Sequence, residues 1–203
     1  MTQTIVKKYN AEVHSQSVLE CILEMKKHAE DLMTTEIGRI EIEFFDVAYN
    51  IIGGGEEGDK TVVQTKEQAD HSLAYMVAVA LLDDQVVSEQ YRSERIAQTD
   101  VQTLLRKISV RPKEEYSRRF PGEMPCRFTV SLRNSQILVK EKKDYEGFHT
   151  CPARWETAVQ KFAQLSEEHA SESLRREIVE AVGGLETIAV TDLMELLART
   201  SAN

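Results

Sequence analysis

The chain has 203 residues, of which 41% are hydrophobic and 29% charged, and a net charge of -9. That size and balance fit one soluble domain over residues 1–203 with a core of its own. The acidic charge disfavours a surface built for nucleic acid or for an anionic membrane, although a local basic pocket can still hold a small anion. Cys21, Cys126 and Cys151 stand far apart with no CxxC pair, so neither a disulfide framework nor a zinc site is indicated. The N-terminus carries no signal-peptide core, and no apolar run approaches about 18 residues. A cytoplasmic location is expected.

Residues 1–14 are polar and read as extended. A helix is predicted from about Ser15 to Leu32, because Val18, Ile22, Met25, Ala29 and Leu32 recur at helical spacing. Arg39 to Val47 alternates, with Ile40, Ile42 and Phe44 against Arg39, Glu41 and Glu43, as a half-buried strand does. Gly53 to Gln64 reads as a glycine-rich loop. Thr65 with Gln68 has capping-box spacing, and one helix is predicted from there to about Leu82. Short helices follow near Ser88–Arg95 and Thr99–Lys107, the second with Thr99 and Gln102 as a further capping box. Ile108–Arg111 reads as a short strand that Pro112 ends or confines to an edge. Arg127–Leu132 and Gln136–Lys142 make a hairpin around Arg133-Asn134-Ser135. Helices are predicted at Arg154–Ser166, Ser171–Val182 and Thr191–Arg199, with Gly183-Gly184 ending the second. Strands segregated among helices give an α+β class, a small antiparallel sheet with a hairpin, packed by helices.

Three stretches carry candidate chemistry. Gly53-Gly54-Gly55-Glu56-Glu57-Gly58-Asp59-Lys60-Thr61 approaches a phosphate loop. Asp59 interrupts its Gly-Lys contact, and Glu56 and Glu57 place negative charge where phosphate would sit, so a surface loop or lid is expected. Lys7-Lys8-Tyr9-Asn10-Ala11-Glu12-Val13-His14-Ser15-Gln16 gathers two ammonium groups, a carboxylate, an imidazole and an amide, the groups that hold a small carboxylate; the alternative is a solvated tail with capping residues. His71, Ser72 and Tyr75 fall where the apolar part of the 65–82 helix begins, with His71 and Tyr75 on one face; the alternative is a structural histidine with local partners. His28, His149 and His169 read as surface residues. Arg118 and Arg119 read as solvated beside a turn, and Trp155, Val159 and Phe162 as a core stripe.

Ala69-Asp70-His71-Ser72-Leu73-Ala74-Tyr75, followed by Val77-Ala78-Val79-Ala80-Leu81-Leu82-Asp83, resembles the "ADHSLPY…VAxALLDG" signature of the MmgE/PrpD family. The 7–16 segment resembles that family's "K-x-[FY]-P-A-x-x-H-x-Q" stretch. Met124-Pro125 to Val139, Tyr145-Glu146-Gly147 and Trp155 to Leu165 follow in the family's order. Ala74 and Asn10 stand where Pro is usual. The resemblance is closest to 2-methylcitrate dehydratases and covers nearly the whole chain. It implies proteins more than twice this length, with an N-terminal helical domain that this sequence does not match.

The resemblance also implies a hydro-lyase site between two domains, taking a tricarboxylate such as 2-methylcitrate or citrate. It places catalytic roles on Lys7 (or Lys8, one register on), Tyr75 and His71, and substrate contacts on Lys8, Glu12, His14, Gln16 and Ser72. It implies no metal or organic cofactor. The expected partners are the substrate, if a helical domain completes the site, and either a second copy as a homodimer or that helical domain. By itself the chain is then expected to be inactive or half of a split enzyme. The alternatives are a non-enzymatic oligomerisation or binding module, and decarboxylase or epimerase chemistry within the family.

Overall fold

A computed structural model describes residues 4–28, 32, 34–56 and 58–200. The chain, read as one domain from its length, divides after Pro152 into two compact units. The first is α+β. A 3-10 turn, Val13–Ser15, leads into α1 (Gln16–His28). Then come β1 (Ile37–Phe44), the short α2 (Asp46–Ala48) and a π-helical turn, Tyr49–Gly53. α3 (Lys66–Asp70), α4 (Leu73–Asp83), α5 (Ser93–Ile96) and α6 (Thr99–Leu105) precede β2 (Ile108–Pro112). α7 (Glu114–Arg119), β3 (Cys126–Leu132) and β4 (Ile137–Lys142) complete the regular structure of this unit. Residues 29–31 of the predicted first helix, with Ala29, lie outside the described residues, as does Glu57 of the glycine loop, while Leu32, expected on that helix, is buried but lies outside α1.

The four strands order as β2-β1-β3-β4. β3 pairs antiparallel with both β1 and β4, as expected of a hairpin, but β2 runs parallel to β1. The sheet is therefore mixed rather than antiparallel. Residues 45–107 form a crossover with helices of its own, and such a connection returns the chain in the same direction, which a tight turn cannot do. Pro112 sits at the end of edge strand β2, where a missing N–H costs the ladder nothing.

One face of the sheet carries Ile40, Ile42, Phe44, Phe128, Val130 and Leu132, all buried. α1 and α4 pack together, α1 lies against β3 and β4, and α4 lies against β2 and α6. Every residue of α4 from Leu73 to Leu81 is buried. A helix apolar on all sides belongs at the centre of a core rather than on its surface.

Four further sequence expectations change. The helix expected over 65–82 breaks at His71-Ser72 into α3 and α4. The break comes from Ser72, whose extended backbone and side chain cap α4: Oγ accepts the Tyr75 N–H at 3.0 Å and donates to the Lys60 carbonyl at 2.6 Å. The Thr65–Gln68 capping box forms, but the Thr99–Gln102 box does not. Gln98 is the cap residue there, and the Gln102 amide donates to the Val63 and Ile96 carbonyls, at 3.0 and 2.8 Å. α7 was unforeseen. It has Glu114 and Glu115 in its first turn and Arg118 and Arg119 in its last, charges that suit the helix dipole.

The fourth change concerns the second unit, whose helices are α8 (Trp155–Leu165), α9 (Glu172–Gly183) and α10 (Val190–Ala198). Trp155, Val159 and Phe162 line an open apolar groove with residues of α9 and α10. Trp155 is 49% exposed, so this stripe is not a closed core.

The Ser72 cap is buried and makes two bonds, whereas the Thr65 cap is exposed. Ser72→Ala should lower unfolding free energy by about 1–2 kcal/mol and Thr65→Ala by about 0.5–1 kcal/mol. Urea titration checks the order; a larger loss from Thr65→Ala would contradict the assigned break.

Candidate functional site

The 7–16 segment is held in place by its own last residue. Gln16 is fully buried at the start of α1. Its Oε1 accepts the Tyr9 N–H at 2.9 Å, and its Nε2 reaches the Tyr9, Ala11 and Glu12 carbonyls at 3.3–3.4 Å. The Asn10 N–H donates to the Val86 carbonyl at 3.1 Å. The part of the segment before the 3-10 turn thus has several of its backbone groups answered by one amide and one neighbouring loop.

Within this segment Glu12 grips His14 twice. Oε2 accepts the His14 N–H at 2.7 Å, and Oε1 lies 2.7 Å from Nδ1 of the ring. An ionised carboxylate only accepts, so Nδ1 carries the hydrogen and Nε2 is the imidazole edge left for a ligand. The ring is fixed from its sides as well. Phe45 and Phe120 stack on each other at 4.3 Å, and the His14 centroid lies 5.7 Å from Phe45 and 5.9 Å from Phe120. His14 borders a cavity of about 400 Å³, with Ile5, Phe120, Met124, Phe148 and His149 among its walls.

A chain of charges starts from Lys8 of the same segment. Glu20 of α1, 4% exposed, accepts from Lys8 Nζ at 2.7 Å, from Lys142 Nζ at 2.5 Å and from the Glu146 N–H at 3.2 Å. Lys8 also bonds Glu146 at 2.9 Å. Glu24 takes Lys142 at 2.7 Å and Lys140 at 2.6 Å. Burial pulls the Lys8 and Lys142 ammonium groups down, but their carboxylate partners outweigh it and both end above the ordinary lysine value. Burial likewise pushes Glu24 up, and Lys140 and Lys142 more than reverse this, leaving it below the usual carboxylate range.

The remaining predicted residues separate. Lys7 is exposed. His71 is exposed at the end of α3, while Tyr75 is fully buried, so the helix break takes them off a common face. Tyr75 donates its hydroxyl proton to the Gln90 carbonyl, and burial pushes that hydroxyl well above its ordinary pKa. Ser72 is occupied as the cap of α4. Glu12, His14 and Gln16 therefore form one bonded group, Lys8 of the same segment joins Glu20 and Glu146 instead, and His71, Ser72 and Tyr75 form the α3–α4 junction. Sequence reasoning missed Glu20, Glu146 and Lys142, and took His149 for a surface residue. Glu20 was visible as a charge between the apolar Leu19 and Cys21, both buried. Among the described residues no cluster of His, Cys, Asp or Glu has metal-holding geometry, and no helix is long and apolar enough to cross a membrane.

The family model of the MmgE/PrpD C-terminal domain matches residues 9–187. The chain belongs to that family.

Glu20→Gln should destabilise the first unit by about 2–4 kcal/mol, because it leaves two lysines short of a partner. The pH profile should have two limbs. Lys8 and Lys142 are raised in the folded state, so their stabilisation is complete below about 10.5 and is lost as pH climbs through the folded values. Glu24 is depressed, so its contribution holds above about 4.5 and is lost as pH falls through its folded value. Denaturant titrations across pH check both limbs; an unchanged alkaline limb in Glu20→Gln would contradict the network.

Proposed function

We propose, from membership of this family, that the chain supplies one side of a hydro-lyase site for a hydroxylated tricarboxylate such as citrate or 2-methylcitrate. The opposite side comes from a helical domain. Eliminating water across a carbon–carbon bond needs a base for a carbon-bound proton, an acid for the departing hydroxide and cations for the carboxylates. The observation that carries this reading is the Glu12–His14 pair at the cavity. Glu12 accepts from Nδ1, which leaves the Nε2 lone pair as proton acceptor. The same carboxylate then stabilises the imidazolium that forms.

Lys7 is exposed in the same segment, and the family resemblance gives it to a substrate carboxylate. Lys8 is committed to Glu20 and Glu146 and holds the segment rather than the ligand. Gln16 fixes the backbone that presents Glu12 and His14. Tyr75 joins the chemistry only through a rearrangement that takes its hydroxyl off the Gln90 carbonyl. His71 and Ser72 belong to the same junction, and Ser72 is occupied there as the cap of α4.

The experiment mixes the purified chain with a helical domain of the family and follows formation of the unsaturated acid from citrate and from 2-methylcitrate. Dehydration should appear in the mixture, and His14→Gln should reduce its rate by about 10²–10⁴. No dehydration, or a His14→Gln mixture as fast as the parent, would overturn the reading.

A further inference from the structure

Cys21 and Cys126 take no part in the site, and they stand far apart in the sequence. The fold brings them together. Val18, Cys21, Ile22 and Met25 recur at helical spacing and form a buried face of α1. Cys126 opens β3 on the same face of the sheet as Phe128, Val130 and Leu132, and α1 packs across β3 and β4. The two thiols hydrogen-bond to each other, and Cys21 Sγ also donates to the Lys140 carbonyl at 3.6 Å. The register sets Cys126 opposite Lys142, whose ammonium bonds Glu20, the residue before Cys21. The ion pair and the thiol contact therefore tie the same turn of α1 to the same end of the hairpin.

Both cysteines are closed to solvent, each 0% exposed. The hydrogen bond with Cys126 and burial push the Cys21 thiol well above its ordinary pKa. A buried thiol that stays protonated is inert. In the folded chain an oxidant therefore finds Cys151, which is partly exposed. The pair is reactive earlier, while α1 is reaching the sheet and the sulfurs are still in water. We infer that Cys21 and Cys126 are a disulfide site that closes during folding, when a small disulfide such as oxidised glutathione is present, and that joins α1 to β3. One cysteine thiolate attacks a sulfur of the glutathione disulfide, breaks its S–S bond and displaces a glutathione thiolate. The second attacks the protein sulfur of that mixed disulfide and displaces the other glutathione. The two protons lost by the cysteines go to the two glutathiones released, so the chain gives up two electrons and the glutathione disulfide takes them. The link closes a loop of about 100 residues, which restricts the unfolded chain. It needs neither the substrate nor the helical domain of the hydro-lyase reading.

The test refolds the reduced, urea-unfolded chain with a mixture of oxidised and reduced glutathione, and in parallel with reduced glutathione alone, then blocks free thiols with iodoacetamide. With the disulfide present, a digest should contain a reducible peptide pair joining Cys21 to Cys126, with Cys151 recovered free or carrying glutathione. The urea midpoint of this form should exceed that of the reduced chain and return to it with dithiothreitol. The folded, reduced chain given the same mixture should react at Cys151 alone. Cys151→Ser should keep the link and Cys126→Ala should lose it; should Cys126→Ala fail to fold, the peptide map of the parent decides alone. Cys21 and Cys126 recovered unlinked after oxidative refolding, a link running through Cys151, or a linked chain with an unchanged or lower urea midpoint would each overturn the inference. So would a chain that refolds with reduced glutathione but not with the mixture, or a folded chain in which Cys21 and Cys126 react as fast as Cys151.

Discussion

Glu20 is a carboxylate taken out of water inside a helix whose neighbouring residues are core. An isolated charge there would be untenable. It is stable because two ammonium groups and a backbone N–H converge on it. Each of those donors belongs to a different part of the first unit: Lys8 to the irregular N-terminal segment, Lys142 to β4, and Glu146 to the turn that carries His149. The cost of burying one charge is offset only when these three parts are assembled around α1. The network thus specifies an arrangement more than it adds stability, since buried ion pairs seldom outperform apolar packing.

That arrangement makes the cavity possible. Of the segment holding Glu12 and His14, only Val13–Ser15 is regular, a single 3-10 turn that Glu12 caps. Gln16 fixes its backbone, Lys8 ties it to α1, and Gly147 admits Val6 at a distance no other residue would allow. Glu12, Phe45 and Phe120 then restrain the imidazole itself. A histidine held by a carboxylate at one nitrogen and by aromatic rings on its sides has little freedom left to lose on binding, which is what preorganisation means in energetic terms. The α3–α4 junction is a separate construction. There Ser72 trades helix continuity for a buried cap, and Tyr75 becomes part of the core.

Much of the fold was legible because it follows from periodicity. The alternation of Ile40, Ile42 and Phe44, and of Phe128, Val130 and Leu132, marked β1 and β3 and the face that each buries. The parallel placement of β2 was not legible, because strand direction depends on where a long crossover returns. The break at Ser72 was missed because the helical pattern around it is strong, while the partner that favours the break, the Lys60 carbonyl, lies twelve residues away. The candidate site was half legible. Residue types in the 7–16 segment pointed to carboxylate chemistry, and Glu12 and His14 do meet. Their support was hidden in sequence distance, since Glu20 and Glu146 are 126 residues apart. One local signal pointed to it: the register that sets Phe128 opposite Lys140 and Cys126 opposite Lys142 puts both lysines on the face turned toward α1.

The central claim is that Glu12 holds His14 with its hydrogen on Nδ1 and its Nε2 lone pair toward the cavity. Nitrogen-15 chemical shifts of the His14 ring, measured at a pH where the imidazole is neutral, test it most directly. The account requires a protonated Nδ1 and an unprotonated Nε2, with the pattern lost in Glu12→Gln. A ring protonated at Nε2, or a tautomer indifferent to Glu12, would contradict it.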